Sequence, residues 1–228
     1  MMDVIQIARA EGRTALTEAE AKSGLSGFEL PFPKEKSCTS MQEAAVVAED
    51  LGYPLAVKGI GPGLLHKTEA GVVMLNIRNE AELATAWETI MQRGGDLVKE
   101  VLVQQFVEGQ REFVIGMSRD PQFGPSIMFG QGGIFTEPLD DVTFRIAPVS
   151  HKEALRMIGE PKCAALLGTV RGMSAVNRET LADILVTISE ISMKFTDIAE
   201  IDFNPVKVTE DGVAFIVDAL ITLSGAQE

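Results

Sequence analysis

Cysteine, histidine, tryptophan and tyrosine are all scarce in this chain, and the scarcity removes several classes of chemistry. There are two cysteines, Cys38 and Cys163, far apart and with neither metal-ligand spacing nor a neighbouring histidine. That argues against a disulfide framework, a zinc site and a thiol–imidazole nucleophile, and fits free thiols in a reducing cytoplasm. Long apolar runs are missing too. Residues 213–217 and 220–223, on either side of Asp218, are far too short to cross a bilayer, and Asp3, Arg9, Glu11 and Arg13 break up the first residues, so neither a membrane span nor a signal peptide is expected. Basic residues are outnumbered 20 to 33 by acidic ones, giving a formal net charge of −13 with no basic run. A nucleic-acid surface is therefore not expected, because it requires clustered Lys and Arg. Small phosphorylated ligands stay open, since a few basic groups and a divalent cation can hold them locally.

What is present is enough apolar sequence for one domain or two closely packed subdomains: 228 residues, 46% hydrophobic. The pattern predicts two helical pieces in residues 1–30, the second starting at Thr17 with Glu18 and Glu20 in its first turn. Ser40 and Glu43 have the spacing of a capping box opening a helix to about Leu51. Strands follow at 55–58 and 72–77, then an amphipathic helix over 79–93 and a strand over 101–106. Beyond Glu112 strands dominate, at 113–118, 126–129 and 142–147. Helical segments at 151–159, 162–167 and 178–194 precede closing strands at 199–203, 206–209, 213–217 and 220–223. The economical reading is a mixed α/β (α+β) chain: a helical segment over 1–30, a small subdomain over 31–105 and a larger one over 106–228.

Several residues could carry chemistry. His66, one of two histidines, sits in a loop framed by Gly59, Gly61, Gly63 and Gly71, and Lys58 ends the strand that leads into it. Glycines allow close backbone approach to a ligand, lysine supplies a point charge for phosphate, and imidazole is a nucleophile or base near neutral pH. A solvated turn with an incidental histidine is an equal alternative on the loop alone. Asp202 and Asn204 alternate along one strand, about 7 Å apart. If Asp218 pairs beside them, three oxygens converge where Mg²⁺ could bind; capping before Pro205 is the simpler alternative. Gln105, Phe106 and Val107 end a strand that could face an adenine edge, with Glu112 near a ribose or metal, or else they form a plain hairpin. Gly130-Gln131-Gly132-Gly133 lacks the spacing of a P-loop or a dinucleotide fingerprint, so a Rossmann reading fails there. Arg145 and Arg171 are candidate phosphate clamps, although pairing with a carboxylate is commoner. His151 is expected to face solvent, and Met117, Met128, Met157 and Met173 to fill core.

Taken in order, these segments resemble a known family. Lys58, the run Leu65-His66-Lys67-Thr68, Gln104-Gln105, the run from Gly116 to Phe135, Phe144-Arg145-Ile146-Ala147-Pro148, Ile201-Asp202-Phe203-Asn204-Pro205 and Val217-Asp218-Ala219 are similar to the ATP-grasp β subunit of ADP-forming acyl-CoA synthetases, from about Ile5 to Leu223. The resemblance implies an ATP-grasp fold, two α+β subdomains with nucleotide bound between them. It also implies a ligase subunit that helps interconvert acyl-CoA, ADP and phosphate with a carboxylic acid, CoA and ATP. His66 matches the mobile histidine that relays a phosphoryl group to ADP, and Asp202 a nearby acid supporting the metal or the phosphohistidine. Lys58 matches the phosphate lysine, Gln105 to Val107 the adenine hinge, Glu112 the acid on the nucleotide, and Asn204 and Asp218 the Mg²⁺ ligands. The implied cofactors are ATP/ADP and Mg²⁺. The implied partner is a CoA-binding α subunit with its own phosphorylated histidine, in a cytoplasmic hetero-oligomer, by analogy a heterotetramer. Three departures surround His66: Gly71 is followed by Val72 instead of a second glycine, Met74 replaces a more polar residue, and Gly61-Pro62-Gly63 replaces the usual Ser-Pro-Asp. A stand-alone ATP-grasp carboxylate–amine ligase and a nucleotide-sensing subunit without turnover are the rival readings.

Overall fold

The structure is a computed structural model and describes residues 1–64, 67–133 and 141–225. His66 and the Ile134-Phe135 end of the long motif lie outside the described residues. The chain opens with helices α1 (Met2–Ala10) and α2 (Glu18–Leu25). The start of α2 is a reciprocal capping box: the Thr17 hydroxyl accepts from the Glu20 N–H, and the Glu20 carboxylate accepts from the Thr17 N–H. At the next expected box only half forms. Ser40 caps the Glu43 N–H, but the Glu43 carboxylate turns back one residue further, to the Thr39 N–H and hydroxyl.

Two antiparallel sheets follow. The smaller contains β1 (Glu35–Cys38), β2 (Leu55–Ile60), β3 (Val73–Ile77) and β4 (Glu100–Gln105) in the order β1-β4-β2-β3, with α3 (Met41–Leu51) between β1 and β2 and α4 (Glu80–Gly94) between β3 and β4. Central strand β2 is buried along its whole length, and Val57 and Val103 pack with Leu83 and Ile90 of α4 in a core of their own. Strand β1 was not legible in the sequence: Glu-Lys-Ser-Cys has no apolar alternation, and pairing with β4 alone defines it.

The larger sheet contains β5 (Arg111–Asp120), β6 (Gly124–Gln131), β7 (Val142–Ile146), β8 (Ile198–Val208), β9 (Ala214–Ile216) and β10 (Leu220–Leu223). Its order is β10-β8-β5-β6-β7, with β9 on the C-terminal half of β8. Helices α5 (His151–Met157) and α6 (Arg178–Lys194) accompany it, and residues 162–167, expected to be α-helical, form a 3₁₀ segment. Phe113, Phe129 and Phe203 are fully buried here with the inner face of α6. Ile5, Ala8, Leu16 and Leu25 belong to the same core, and Leu16 donates its N–H to Ile221, so the N-terminal helices pack with the larger sheet.

The strands read separately at 199–203 and 206–209 are one strand with a bulge. Val206 pairs with Phe113 and Phe203 with Ile115, which leaves Asn204 and Pro205 together opposite Val114. The extra residue switches the alternation: Ile201 and Phe203 are buried before it, Val206 and Val208 after it. Asp202, Asn204 and Lys207 consequently share the face away from the core.

Gly61 opens the His66 loop against the turn before β4. A Cβ at Gly61 would stand 1.8 Å from the Leu97 carbonyl oxygen, whereas at Gly63, with φ of +84°, it would meet nothing within 4 Å. Gly61→Ala is expected to cost more than about 2 kcal/mol in denaturant unfolding, because backbone must move. Gly63→Ala should cost about 1 kcal/mol, from the left-handed backbone alone. Equal costs would mean that the loop root is not packed as described.

Candidate functional site

A buried carboxylate lies where the two sheets meet. Glu18, in the first turn of α2, has a side chain with no exposed surface and accepts from three lysines. Lys22, one turn on, and Lys58, from β2, both reach Oε1 at 2.8 Å; Lys67, from the His66 loop, reaches Oε2 at 2.5 Å. The Val217 carbonyl, between β9 and β10, accepts from Lys58 at 2.5 Å, from Gln104 at 3.1 Å and from Lys22 at 3.2 Å. Glu35 closes the far side, taking Lys22 at 2.7 Å and the Gln104 amide at 2.5 Å. Burial alone would raise the carboxyl pKa of Glu18, but Lys58, Lys22 and Lys67 override it and hold the group well below the usual carboxylate range. Burial pulls Lys58 below the ordinary lysine value against the opposing pull of Glu18 and Asp218. For Lys67 the balance reverses: burial would lower it, but Glu18 and Asp218 hold it higher.

Lys58 faces a cleft that gathers most of the residues expected from the sequence. Lys58, Phe106, Val107, Glu112, Asn204 and Asp218 all line it. Gln105 does not; it is exposed and borders the neighbouring hollow with Pro33 and Glu108. Strand alternation explains the difference, because Gln104 is the buried member of the pair and lines the cleft instead. Asp202 lies in an adjoining hollow with Glu18 and Lys67, which Asn204 and Asp218 also border. His66 lies outside the described residues, but its neighbour Lys67 reaches Asp218 Oδ1 at 2.6 Å, so the chain next to His66 is tied to the same end of the cleft.

The β8 bulge and the register of β10 bring the oxygen donors together. Leu220 pairs with Asp202, and the Val217 N–H donates to the Pro205 carbonyl, so Asp218 comes level with Asn204. The Asn204 Oδ1 accepts from the Gly133 N–H at 2.9 Å. Burial, Asp218 and Glu200 together push the Asp202 carboxyl up to about 6. Among the described residues, no group of three or more His, Cys, Asp or Glu is placed to hold a metal ion. One carboxylate and one amide oxygen at one end of the cleft nevertheless fit Mg²⁺, which commonly takes its other ligands from water and substrate phosphate.

Sequence reasoning missed some participants. Glu18 looked like a helix-dipole complement, and its only sequence signal was the i,i+4 spacing to Lys22. Lys207 also escaped notice. Its ammonium lies 3.5 Å from Glu112 Oε1 and 5.7 Å from the centre of the Phe106 ring, inside the cleft. Gly133 belongs to the glycine run without phosphate-loop spacing; φ there is +72°, and a Cβ would stand 2.0 Å from Glu112 Oε2, so the run packs against the acid. Arg145 is no clamp: it pairs with Glu153 at 2.7 Å and Glu160 at 2.5 Å. His151 is exposed, near Glu179 and Asp183. Met117 and Met157 are core, while Met128 and Met173 are only half-buried. Burial pushes both thiols up, Cys163 to about 12 with Asp141 beside it, which leaves them unreactive. No helix among the described residues is long and apolar enough to cross a membrane.

Comparison with known proteins agrees with this geometry. Residues 7–223 match the model of the ATP-grasp domain family. The β subunit of acetate–CoA ligase (ADP-forming) II from Pyrococcus furiosus is 43% identical over 231 residues, covering 98% of both chains. A dinucleotide-forming acetyl-coenzyme A synthetase 1 from Ca. Korarchaeum cryptofilum, solved with coenzyme A, Ca-AMPCP and HgCl⁺, superposes with a TM-score of 0.92 at 37% identity, covering 97% of this chain and 99% of that one. The same enzyme, solved with coenzyme A and Mg-AMPPCP and its phosphohistidine segment pointing towards the nucleotide site, gives a TM-score of 0.85, again at 37% identity, with coverage of 97% and 99%. The mixed α/β fold, the meeting of two sheets at a cleft of lysines and oxygen donors, and full-length identity above 40% lead to one conclusion: this chain belongs to the ATP-grasp family, among the β subunits of ADP-forming acetate–CoA ligases.

Proposed function

We propose that this chain is the nucleotide-binding β subunit of an ADP-forming acyl-CoA synthetase, in which His66 carries a phosphoryl group to ADP. The observation that supports this best is the convergence of Lys58, Glu112, Asn204 and Asp218 with the Phe106-Val107 connection on one cleft between the two sheets, with Lys67 bonded to Asp218 from the adjoining hollow. The base would lie along Phe106 and Val107, with the backbone at Gln105 to Val107 as its polar edge and Glu112 on the ribose. The phosphates would extend towards Lys58 and Lys67. Asn204 and Asp218 would hold Mg²⁺, which neutralises phosphate charge there when bound. This division treats residues 31–105 and 106–228 as the two walls of the site, with residues 1–30 packed on the larger.

The chemistry suits these residues. Phosphoryl transfer needs in-line placement and charge neutralisation more than covalent work, and two buried lysines supply the latter. When phospho-His66 meets ADP, a terminal β-phosphate oxygen of ADP would form the new O–P bond as the N–P bond breaks, and the imidazole would leave neutral because its other ring nitrogen carries a proton in the phosphorylated form. Lys58 and Lys67 would offset the charge shared among the equatorial oxygens. Asp202, which shares a hollow with Lys67 and Asp218, would support the imidazole or the metal. Acyl-CoA chemistry would fall to a CoA-binding α subunit that passes the phosphoryl group from its own histidine, a reading supported by relatives that are named as separate β subunits. The complex would be a hetero-oligomer, and the unpaired, buried cysteines suit a reducing cytoplasm.

Two measurements test this. With the α subunit, acyl-CoA, labelled phosphate and ADP, His66→Ala is expected to abolish ATP formation while phosphorylated α subunit still accumulates; normal turnover would exclude the relay and favour a stand-alone ligase. Calorimetric titration of Asp218→Ala with ADP should show affinity that no longer rises between low and high magnesium, whereas an unchanged magnesium dependence would remove Asp218 from the metal site.

A further inference from the structure

The carboxylate behind the lysines has a role that the nucleotide reading leaves open. An ammonium group has three N–H donors, so its aim is known once two of them are committed. Among the described residues, Lys22 spends all three within the protein, on Glu18, Glu35 and the Val217 carbonyl. Lys58 spends two, on Glu18 and Val217, and Lys67 spends two, on Glu18 and Asp218. Each of these two lysines therefore keeps one N–H. Lys58 lines the cleft itself, and Lys67 lies against Asp218 at the cleft's oxygen-donor end. Among the described residues Glu18 is the only side chain that contacts all three ammonium groups, and it has no exposed surface.

We propose that Glu18 is a positioning residue for nucleotide phosphates: its two oxygens hold the Lys58 and Lys67 ammonium groups so that the remaining N–H of each is directed at the polyphosphate. The inference rests on the reading of the cleft as a nucleotide site. Helix α2 carries the carboxylate, the small sheet carries Lys58, the His66 loop carries Lys67, and the chain before β10 supplies Val217 and Asp218. One buried anion thus sets the relative placement of four segments at the phosphate end. Lys22 braces the carboxylate from behind, one helical turn away.

Two roles for Glu18 predict opposite results. If it mattered only through charge, removing its negative charge beside three lysines would strengthen the local positive potential and tighten anion binding. If it positions the lysines, Gln in its place offers one acceptor and turns an NH₂ group towards an ammonium, so at least one lysine loses its aim and binding weakens.

The test is Glu18→Gln, with thermal unfolding confirming a folded chain, titrated with adenosine, Mg–ADP and Mg–ATP. The expected result is at least a tenfold loss of affinity for Mg–ADP and Mg–ATP with adenosine binding unchanged. In the complex with the α subunit, the KM for ADP should rise more than kcat falls. Tighter Mg–ADP binding, wild-type affinity, or an equal loss for adenosine and Mg–ADP would each overturn the proposal, the last because it marks a purely structural residue. If Glu18→Gln does not fold, Glu18→Asp decides by the same criterion, since it keeps the charge but withdraws it by one methylene. Failure of the wild-type chain to bind Mg–ADP would instead overturn the nucleotide reading, independently of Glu18.

Discussion

Glu18 and its three lysines are the contact on which the rest of the site depends. The two sheets have separate cores, and residues from Phe106 onward carry the chain from one sheet to the other. What ties the two together at Glu18 is polar. Lys58 leaves the small sheet and Lys67 leaves the His66 loop, and both end on a helix that packs with the large sheet. Without the carboxylate, three buried or nearly buried ammonium groups would face one another across a seam that water barely reaches. That arrangement would cost several kcal/mol of desolvation and repulsion. With it, the described charges close: Glu18, Glu35 and Asp218 against Lys22, Lys58 and Lys67.

A buried ion cluster is seldom the cheapest way to stabilise a protein, since well-packed apolar side chains of the same volume often do as well or better. Its persistence here is better understood through geometry. Apolar packing is tolerant in direction, whereas a carboxylate accepting three short hydrogen bonds fixes where each donor sits. The same low-polarity surroundings that make Glu18 costly also strengthen its hold on the lysines. Lys67 adds a link to function: its second partner is Asp218, a candidate metal ligand, so a cation already sits against that carboxylate. On the proposed reading, Mg–nucleotide and Lys67 would act on the same carboxylate, and the arrival of one would alter the hold on the other.

Much of this was legible in the sequence where a local rule applied. Alternation located most strands, and the caps located the starts of α2 and α3. The motifs marked Lys58, Phe106, Val107, Glu112, Asn204 and Asp218, which line one cleft. What escaped depended on pairing between distant segments. Strand β1 has no pattern of its own and exists because β4 pairs with it. Gln104 and Gln105 are chemically identical, and only the register of β4 decides which is buried. Glu18 looks from the sequence like a solvated residue in a helical first turn; its burial comes from Lys58, 40 residues away, and Lys67, 49 residues away.

The bulge at Asn204 and Pro205 shows how one strand meets two demands. Strand β8 must bury Ile201 and Phe203 in the core, and then Val206 and Val208. A strand of unbroken period 2 would put Val206 and Val208 on the side of Asn204, and Lys207 in the core. One extra residue resets the phase at that point, so the apolar face continues inward while Asp202, Asn204 and Lys207 remain together on the outer side. The reset falls at the residue whose amide oxygen takes the Gly133 N–H and stands level with Asp218. The Asn204 end of the cleft is thus located by a defect in the sheet, and the Lys58 end by a carboxylate that no solvent reaches. Each is a local departure from a regular pattern, and the regular strands around them keep both in place.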